Sequence, residues 1–328
     1  MAEKIELLSF TARGAALAES LSAALDGHWT DGRGEGFSLR AWTETRFARA
    51  DALLFIGAAG IAVRAIAPCV KSKAEDPAVL CVDELGRFVI PLLSGHLGGA
   101  NALARRVAAL CGGTAVITTA TDINGAFAVD LWAKRQGLSL PEPEKIKTVS
   151  AAVLRGETVT VSCPWPIAGQ PPEGVRQGEG GAVTVDYRPG EGTALRLIPR
   201  CLSLGIGCRK GIEPERLEAA FAAFCEERAI LPEAVCRAAS VDLKRGEAGL
   251  LAFCASHGWP LTFYSAAELA ALPGEFTPSA FVQSTVGVDN VCERAAVCAG
   301  GDLIEKKYAR EGVTFALALS VPELDWSW

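Results

Sequence analysis

Three times within the first 125 residues, a short apolar run ends in a glycine- or threonine-rich junction that opens a helical pattern. Asp51–Ile56 (DALLFI) leads into Gly57-Ala58-Ala59-Gly60 and a helix ending before Pro68. Arg87–Leu92 leads into Ser94-Gly95-His96-Leu97-Gly98-Gly99-Ala100-Asn101 and a helix to Leu110, stopped by Gly112–Gly113. Thr114–Thr118 leads into Thr119-Ala120-Thr121-Asp122 and a helix over Ala126–Arg135. Strands that alternate with helices pack as a sheet between two helical layers. The flanking pattern agrees. Ile5–Phe10 reads as a buried strand, and Thr11 caps a helix over Ala12–Leu25 with Leu17, Leu21 and Leu25 on one stripe. Phe37–Trp42 reads as a second strand, and Glu84–Gly86 as a hairpin turn between Ala78–Asp83 and Arg87–Leu92.

After Gln136 the pattern weakens. Charge and proline open the stretch, and Thr158–Val161 and Val183–Tyr187 are its clearest strands. Order returns at Cys201. Leu202–Ile206 reads as a strand, Pro214–Glu227 as a helix with proline in its first turn, Ala248–His257 as a helix and Leu261–Tyr264 as a strand. Ala266–Ala271 and Val291–Ala299 follow as helices, and Leu303–Tyr308 with Val313–Leu319 as a closing hairpin. The expected fold class is α/β. Two three-layer α/β domains, 1–135 and 200–328, are joined by a small, partly β middle region, 136–199.

Composition removes several function classes. The net charge is −6 and no Lys/Arg-rich run occurs, which argues against nucleic acid as a partner. The uncharged windows Phe88–Ala104 and Ala248–Ala267 are broken by glycine and proline, so no membrane span is expected. Eleven cysteines lack any CxxC spacing, and the three histidines, at 28, 96 and 257, are scattered. No metal site is therefore expected. With a start, MAEKIELLSF, that has no signal-peptide pattern, reduced thiols and a cytoplasmic location are expected.

The chemistry is expected at the junctions. Free N–H groups at Gly57 and Gly60 can meet an anion, with Arg64 forking onto a carboxylate; the alternative is a tight turn beside a solvated arginine. Ser94, Gly95, His96, Gly98, Gly99 and Asn101 place a hydroxyl, an imidazole and an amide at a helix mouth. His96 there can act as general base or acid, or merely brace the loop. Thr119, Thr121 and Asp122 lie at the same strand-end face, where open α/β sheets bind ligands. Asp122 either orients His96 or caps a helix. Gly205, Gly207, Cys208, Arg209 and Lys210 form a GxGxxxG junction that departs from the dinucleotide pattern, and no GxxxxGK[ST] loop exists, leaving an anion cradle. Cys208 beside two cations is either a low-pKa thiol or one of many scattered cysteines. Thr285 and Gly287 belong to a polar loop before the helix that carries Glu293, a further candidate catalytic carboxylate after His96 and Asp122. Alternation sends Lys306 and Lys307 to opposite faces of a late strand.

These segments resemble a known family. GAAGIAVRAIAP (57–68), VDELGRFVIPLLSGHLGGANALARRVA (82–108) and VITTATDINGAFAVDLWA (116–133) are similar to the N-terminal domain of the cobalamin-biosynthesis CbiG family. LGIGCRKGI (204–212), SVDLKRGEAGLLAFCASHGWPL (240–261) and STVGVDNVCERAAVCAGG (284–301) resemble its C-terminal domain, also found alone as the CobE type. The resemblance covers nearly the whole chain, loosely at 136–199. It implies a cobalt-precorrin-5A hydrolase, which opens a δ-lactone on a cobalt-containing tetrapyrrole and releases acetaldehyde. It also implies no cofactor beyond the cobalt within the substrate, and other corrin-pathway enzymes as possible partners. It transfers no catalytic residue. A non-catalytic carrier of a corrinoid intermediate, a pathway scaffold, and a nucleotide-dependent oxidoreductase, which the glycine spacing disfavours, remain the alternatives.

Overall fold

Leu7, Leu8, Leu53, Leu54, Phe55, Val79 and Leu80 have no exposed surface. Strands this apolar belong in a mainly parallel sheet covered on both faces. A computed structural model shows that sheet; it describes residues 3–72, 75–96, 98–190, 192 and 194–328. The chain forms two units, parted between Leu131 and Trp132.

In chain order the first unit contains β1 (Ile5–Ser9), α1 (Ala12–Leu25), β2 (His28–Asp31), α2 (Leu39–Phe47), β3 (Ala52–Ile56) and α3 (Ala59–Ile66). There follow β4 (Ala78–Val82), β5 (Phe88–Leu93), α4 (Ala100–Cys111), β6 (Thr114–Ala115), α5 (Ala120–Ile123) and the start of α6 (Val129–Arg135). The six strands lie in the order β2-β1-β3-β4-β5-β6, and only the β4–β5 pair is antiparallel. Strand alternation divides the side chains between two cores. Leu7, Leu54 and Leu80 meet Leu21 and Leu25 of α1 and Leu103 and Val107 of α4. Leu8, Leu53 and Phe55 meet Trp42 and Phe47 of α2 and Ile66 of α3. This is the expected three-layer arrangement.

Thr11 caps α1 as expected, its Oγ1 accepting from the Gly14 N–H at 3.0 Å. Phe37–Trp42 is not a strand. The Ser38 hydroxyl accepts from the Ala41 N–H and starts α2, which turns Trp42 and Phe47 inward. The second strand is His28–Asp31, paired with β1. Thr114–Thr118 shortens to Thr114–Ala115, and the helix expected over Ala126–Arg135 begins at Val129.

The second unit opens with β7 (Leu138–Ser139), α7 (Ile146–Leu154), β8 (Val159–Ser162), β9 (Ile167–Ala168), β10 (Val175–Gln177), β11 (Val183–Val185) and β12 (Leu195–Pro199). Five of these strands form a sheet in the order β10-β8-β11-β12-β7. Next come β13 (Leu202–Cys208), α8 (Pro214–Arg228), β14 (Val235–Val241), α9 (Ala248–Ser256), β15 (Leu261–Tyr264), α10 (Ala266–Ala271) and α11 (Ala280–Val286). The chain closes with α12 (Cys292–Ala299), β16 (Asp302–Arg310), β17 (Val313–Leu319) and β18 (Leu324–Asp325). Their sheet runs β15-β14-β13-β17-β16, with β18 pairing β9 instead. Phe221, Phe253 and Phe315 pack edge to face between α8, α9 and β17. On the opposite face α12 lies on Ala239, Ala316 and Ala318. Among the described residues no helix is long and apolar enough to cross a membrane.

Candidate functional site

The junction between β5 and α4 is a loop closed by its own backbone. The Ala100 and Asn101 N–H groups donate to the carbonyls of Ser94 and Gly95, each at 3.0 Å. Gly98 is pressed against this turn: a Cβ there would lie 2.3 Å from the Ser94 Cβ, so no larger residue fits. Ser94 is in the left-handed region, at φ 57°, and its hydroxyl donates to the Asp76 carbonyl at 2.9 Å. Gly95 packs on the Asn101 amide. Thus Ser94, Gly95 and Gly98 shape the loop. Leu97 lies outside the described residues.

The loop presents His96 to two carboxylates. Its Nε2 lies 2.9 Å from Asp122 Oδ2 and 3.1 Å from Thr121 Oγ1, and its Nδ1 lies 3.2 Å from Asp130 Oδ2. Asn101 Nδ2 donates to both Asp122 Oδ2 and Thr119 Oγ1, and Arg105 donates to Asp122 Oδ1 at 2.6 Å. His96, Asn101, Thr119, Thr121 and Asp122 therefore form one cluster, as the strand-end reading expects. Asp122 is not the cap of α5; Thr119 holds that position. Asp130, in the first turn of α6, and Arg105 lie within the segments that resemble the family, 34 and 9 residues from His96, but neither carries a local signal that ties it to His96.

The electrostatics follow from these contacts. The hydrogen bond to Asp130 raises the His96 pKa above its ordinary value; burial opposes this, and Asp122 adds to it. Burial alone would raise Asp122. The hydrogen bonds from Arg105, His96 and Asn101 outweigh it and leave the carboxyl below its ordinary range. A raised pKa enlarges the share of the ring in its charged form, which has no lone pair with which to take a proton from water. The geometry thus favours His96 as acid over His96 as base.

The β3–α3 junction behaves differently. The Gly57 N–H donates to the Val82 carbonyl at 2.8 Å, which extends the β3–β4 ladder and takes this donor away from any anion. Gly60 and Arg64 are exposed, and among the described residues Arg64 bonds to none of the other candidates.

In the second unit, a cavity of about 600 Å³ opens at the C-terminal end of β13. Gly207, Cys208, Arg209, Lys210 and Thr285 line it, as do Lys244, Lys307 and Arg310, which the sequence did not bring together. Five cationic side chains thus stand against one carboxylate, Glu311, over an apolar floor that includes Val241, Val286, Val291 and Val313. Lys244 pairs with Glu247 and Arg310 with Glu227, whereas Arg209, Lys210 and Lys307 have no ion-pair partner among the described residues. Lys306 is exposed and is not part of the cavity lining.

Four expectations in this unit need correction. Gly205 is buried beneath α12: a Cβ would fall 1.8 Å from the Cys292 carbonyl oxygen, so this glycine serves helix–strand packing and meets no ligand. Gly287 is the left-handed residue, φ 87°, that ends α11; the expected polar loop is a helix over Ala280–Val286. Glu293 is fully buried, its two oxygens accepting from the Thr277 and Lys307 N–H groups at 2.8 and 2.7 Å. It fastens a loop to β16 and has no access to water. Cys208 is not an activated thiol, because burial pushes it up to about 11.

Comparison with known proteins places the chain. Three family models match: "Cobalamin synthesis G N-terminal" over residues 41–122, "Cobalamin biosynthesis central region" over 127–220 and "Cobalamin synthesis G C-terminus" over 202–318. The cobalt-precorrin-5A hydrolase of Salmonella typhimurium LT2 is 34% identical over 97% of this chain and 98% of its own length. That of Priestia megaterium is 31% identical over 86% of this chain and 82% of its own. The crystal structure of CobE, a protein from the cobalamin (vitamin B12) biosynthetic pathway, aligns with 38% of this chain and 92% of its own, at 31% identity and a TM-score of 0.35. End-to-end identity at this level means that the chain belongs to the cobalamin synthesis G family.

Proposed function

We propose that this protein is a cobalt-precorrin-5A hydrolase, which opens the substrate's δ-lactone and releases acetaldehyde. One observation carries the reading: 34% identity to a protein of that name, running through all three family segments. The chemistry of the two sites supports it. A cobalt-precorrin is an apolar macrocycle fringed with acetate and propionate arms. The second unit's cavity has a matching apolar floor and cationic rim, and Arg209, Lys210 and Lys307 are free to take carboxylates. Gly207 and Thr285 also line the cavity. Lactone opening also needs proton transfer, and the His96–Asp122–Asp130 cluster of the first unit can supply it.

The cobalt arrives inside the substrate, so the protein needs no cofactor of its own. We assign the reaction to the cytoplasm and divide the chain into three segments, 1–135, 136–199 and 200–328, with other corrin-pathway enzymes as partners. Mass spectrometry of cobalt-precorrin-5A incubated with the pure protein tests the reading. The expected product has lost the two-carbon fragment, recovered as trapped acetaldehyde. Tight binding with the substrate mass unchanged would instead make the protein a carrier.

A further inference from the structure

Both ring nitrogens of His96 lie within hydrogen-bond distance of a carboxylate oxygen, 2.9 Å on one side and 3.2 Å on the other. A neutral imidazole has one N–H. In its neutral form one of these contacts would set a lone pair against a carboxylate. The doubly protonated ring donates to both. Charge balance points the same way. The groups that face the ring are Asp122 from α5, Asp130 from α6, and Arg105 from α4 behind Asp122, with Thr121 and Asn101 as neutral neighbours. With His96 neutral, the two carboxylates face a single positive charge, that of Arg105, which reaches Asp122 from an exposed position. With His96 charged, the set is balanced.

Asp130 is the unusual member. It is 5% exposed, and its second oxygen, Oδ1, is buried with no hydrogen-bond partner among the described residues. A carboxylate in that state depends on the cation it touches, and among the described residues that cation is the His96 ring. Asp122, by contrast, is served by Arg105 and Asn101 whatever the state of the ring.

We infer that Asp130 is a positioning residue that holds His96 as an imidazolium, and that this imidazolium is the proton donor to the leaving oxygen in lactone opening. The inference rests on the hydrolase reading above. The oxygen of a water bonds to the lactone carbonyl carbon and the ring C–O bond breaks. The imidazolium proton passes to the departing alkoxide, and the proton shed by the attacking water returns to the imidazole. The products of this step are the free acid and a carbinol still bonded to the macrocycle, and His96 ends as it began. The carbinol then leaves as acetaldehyde: its O–H proton is lost, the C=O forms, the C–C bond to the macrocycle breaks, and the electron pair left on the macrocycle takes up a proton.

The test has two arms. The first needs no substrate: long-range imidazole ¹H–¹⁵N spectra of the full-length protein across pH. With three histidines, His28→Gln and His257→Gln variants assign the His96 signals. The expected result is a doubly protonated His96 at pH 7, and a titration midpoint that falls by a unit or more in Asp130→Asn. A neutral His96 at pH 7 in the wild-type protein overturns the inference whether or not substrate is turned over. The second arm follows turnover of cobalt-precorrin-5A. His96→Gln should lose on the order of 100-fold or more. In Asp130→Asn the alkaline limb of kcat should move down with the imidazole midpoint, and Asp130→Glu should restore it in part. A limb that stays in place while the midpoint falls removes the donor role. If Asp130→Asn does not fold, the wild-type spectrum and the His96→Gln rate still decide. Wild-type protein that turns over nothing sinks the hydrolase reading and the donor role with it, and the spectrum then reports separately on the clamp.

Discussion

Replacing Gly205 by Ala separates a glycine kept for a ligand from a glycine kept for the chain itself. The added Cβ would sit 1.8 Å from the Cys292 carbonyl oxygen and 2.6 Å from the Ala296 nitrogen. Ordinary non-bonded contact is about 3.5 Å, so α12 would have to lift by roughly 1.5 Å. Both obstructing atoms are backbone, and no rotamer change relieves them. The helix also covers Ala239, Val241, Ala316 and Ala318, so lifting it opens the apolar face beneath. Overpacking usually costs about 1–3 kcal/mol, and a rigid backbone clash belongs at or above the upper end. Near 3 kcal/mol, the second unit should melt about 6–12 °C lower. Gly246→Ala is the control: a Cβ there meets nothing within 4 Å, and the change should stay within about 0.5 kcal/mol. Thermal unfolding of both variants, with tetrapyrrole binding measured per folded molecule, makes the comparison. An unshifted melting temperature with weakened binding would refute the packing argument and return Gly205 to the anion cradle.

The remaining predictions concern charge. Arg209→Ala and Lys307→Ala should each weaken binding of a carboxylate-rich tetrapyrrole by roughly 10-fold or more and flatten its salt dependence; unchanged titrations at low and high salt would remove the cavity from binding. Glu293→Gln should lower the melting temperature through its bonds to Thr277 and Lys307 while keeping turnover per folded molecule near wild type; a rate loss of about 100-fold in folded protein would restore Glu293 as a catalytic group. Cys208, held up near 11, should resist alkylation at pH 7 and react only as the pH climbs toward that value, which mass spectrometry of peptides labelled at several pH values can check. The His96 cluster should stabilise the fold only within a window. Its histidine term is complete below the ordinary value of 6.5 and fades as pH rises through the raised folded value. Its Asp122 term is complete above 3.8 and fades as pH falls through the lowered one. Denaturant unfolding across pH should show His96→Gln flattening the alkaline side, and Asp122→Asn the acid side.

Local signals in the sequence reach as far as local physics does. Thr11 and the leucine stripe of α1 fix a helix, and DALLFI fixes a buried strand, because capping and periodicity act within a turn or two. Phe37–Trp42 misleads because its aromatics suit a strand, and Ser38 overrides them by satisfying a helix N-terminus. Strand β14 has a weak pattern of its own, with Arg237, Ala238, Ala239 and Ser240 in its middle. It is a strand because β13 and β15 flank it. The first-unit cluster is legible where its members share a junction, as with Ser94 to Asn101 and Thr119 to Asp122. Asp130 is not legible, since it belongs to a helix whose own pattern gives no reason to face His96. Likewise Lys244, Lys307 and Arg310 become neighbours of Arg209 only when the chain segments around β13, β14 and β16 meet at one end of the sheet.

A glycine in a strand-to-helix junction reports that something comes close to the backbone there, without saying what. At Gly98 and Gly205 that something is the chain itself, a loop in one case and a helix in the other. At Gly207 the nearest obstruction is the Thr314 hydroxyl, and the residue lines an open cavity. So all three glycines answer to close packing within the chain, and what sets Gly207 apart is the cavity it borders and the charge there. The whole chain carries a net −6, which taken alone would repel a polycarboxylate. Of the five cations that line the cavity, three, Arg209, Lys210 and Lys307, have no ion-pair partner among the described residues, against one lining carboxylate. Over the few ångströms at which a carboxylate is bound, that local excess outweighs a net charge spread over the whole surface and screened within about 8 Å. Anion recognition in this fold is therefore carried by long side chains brought in from several elements, with the glycines setting how closely those elements pack.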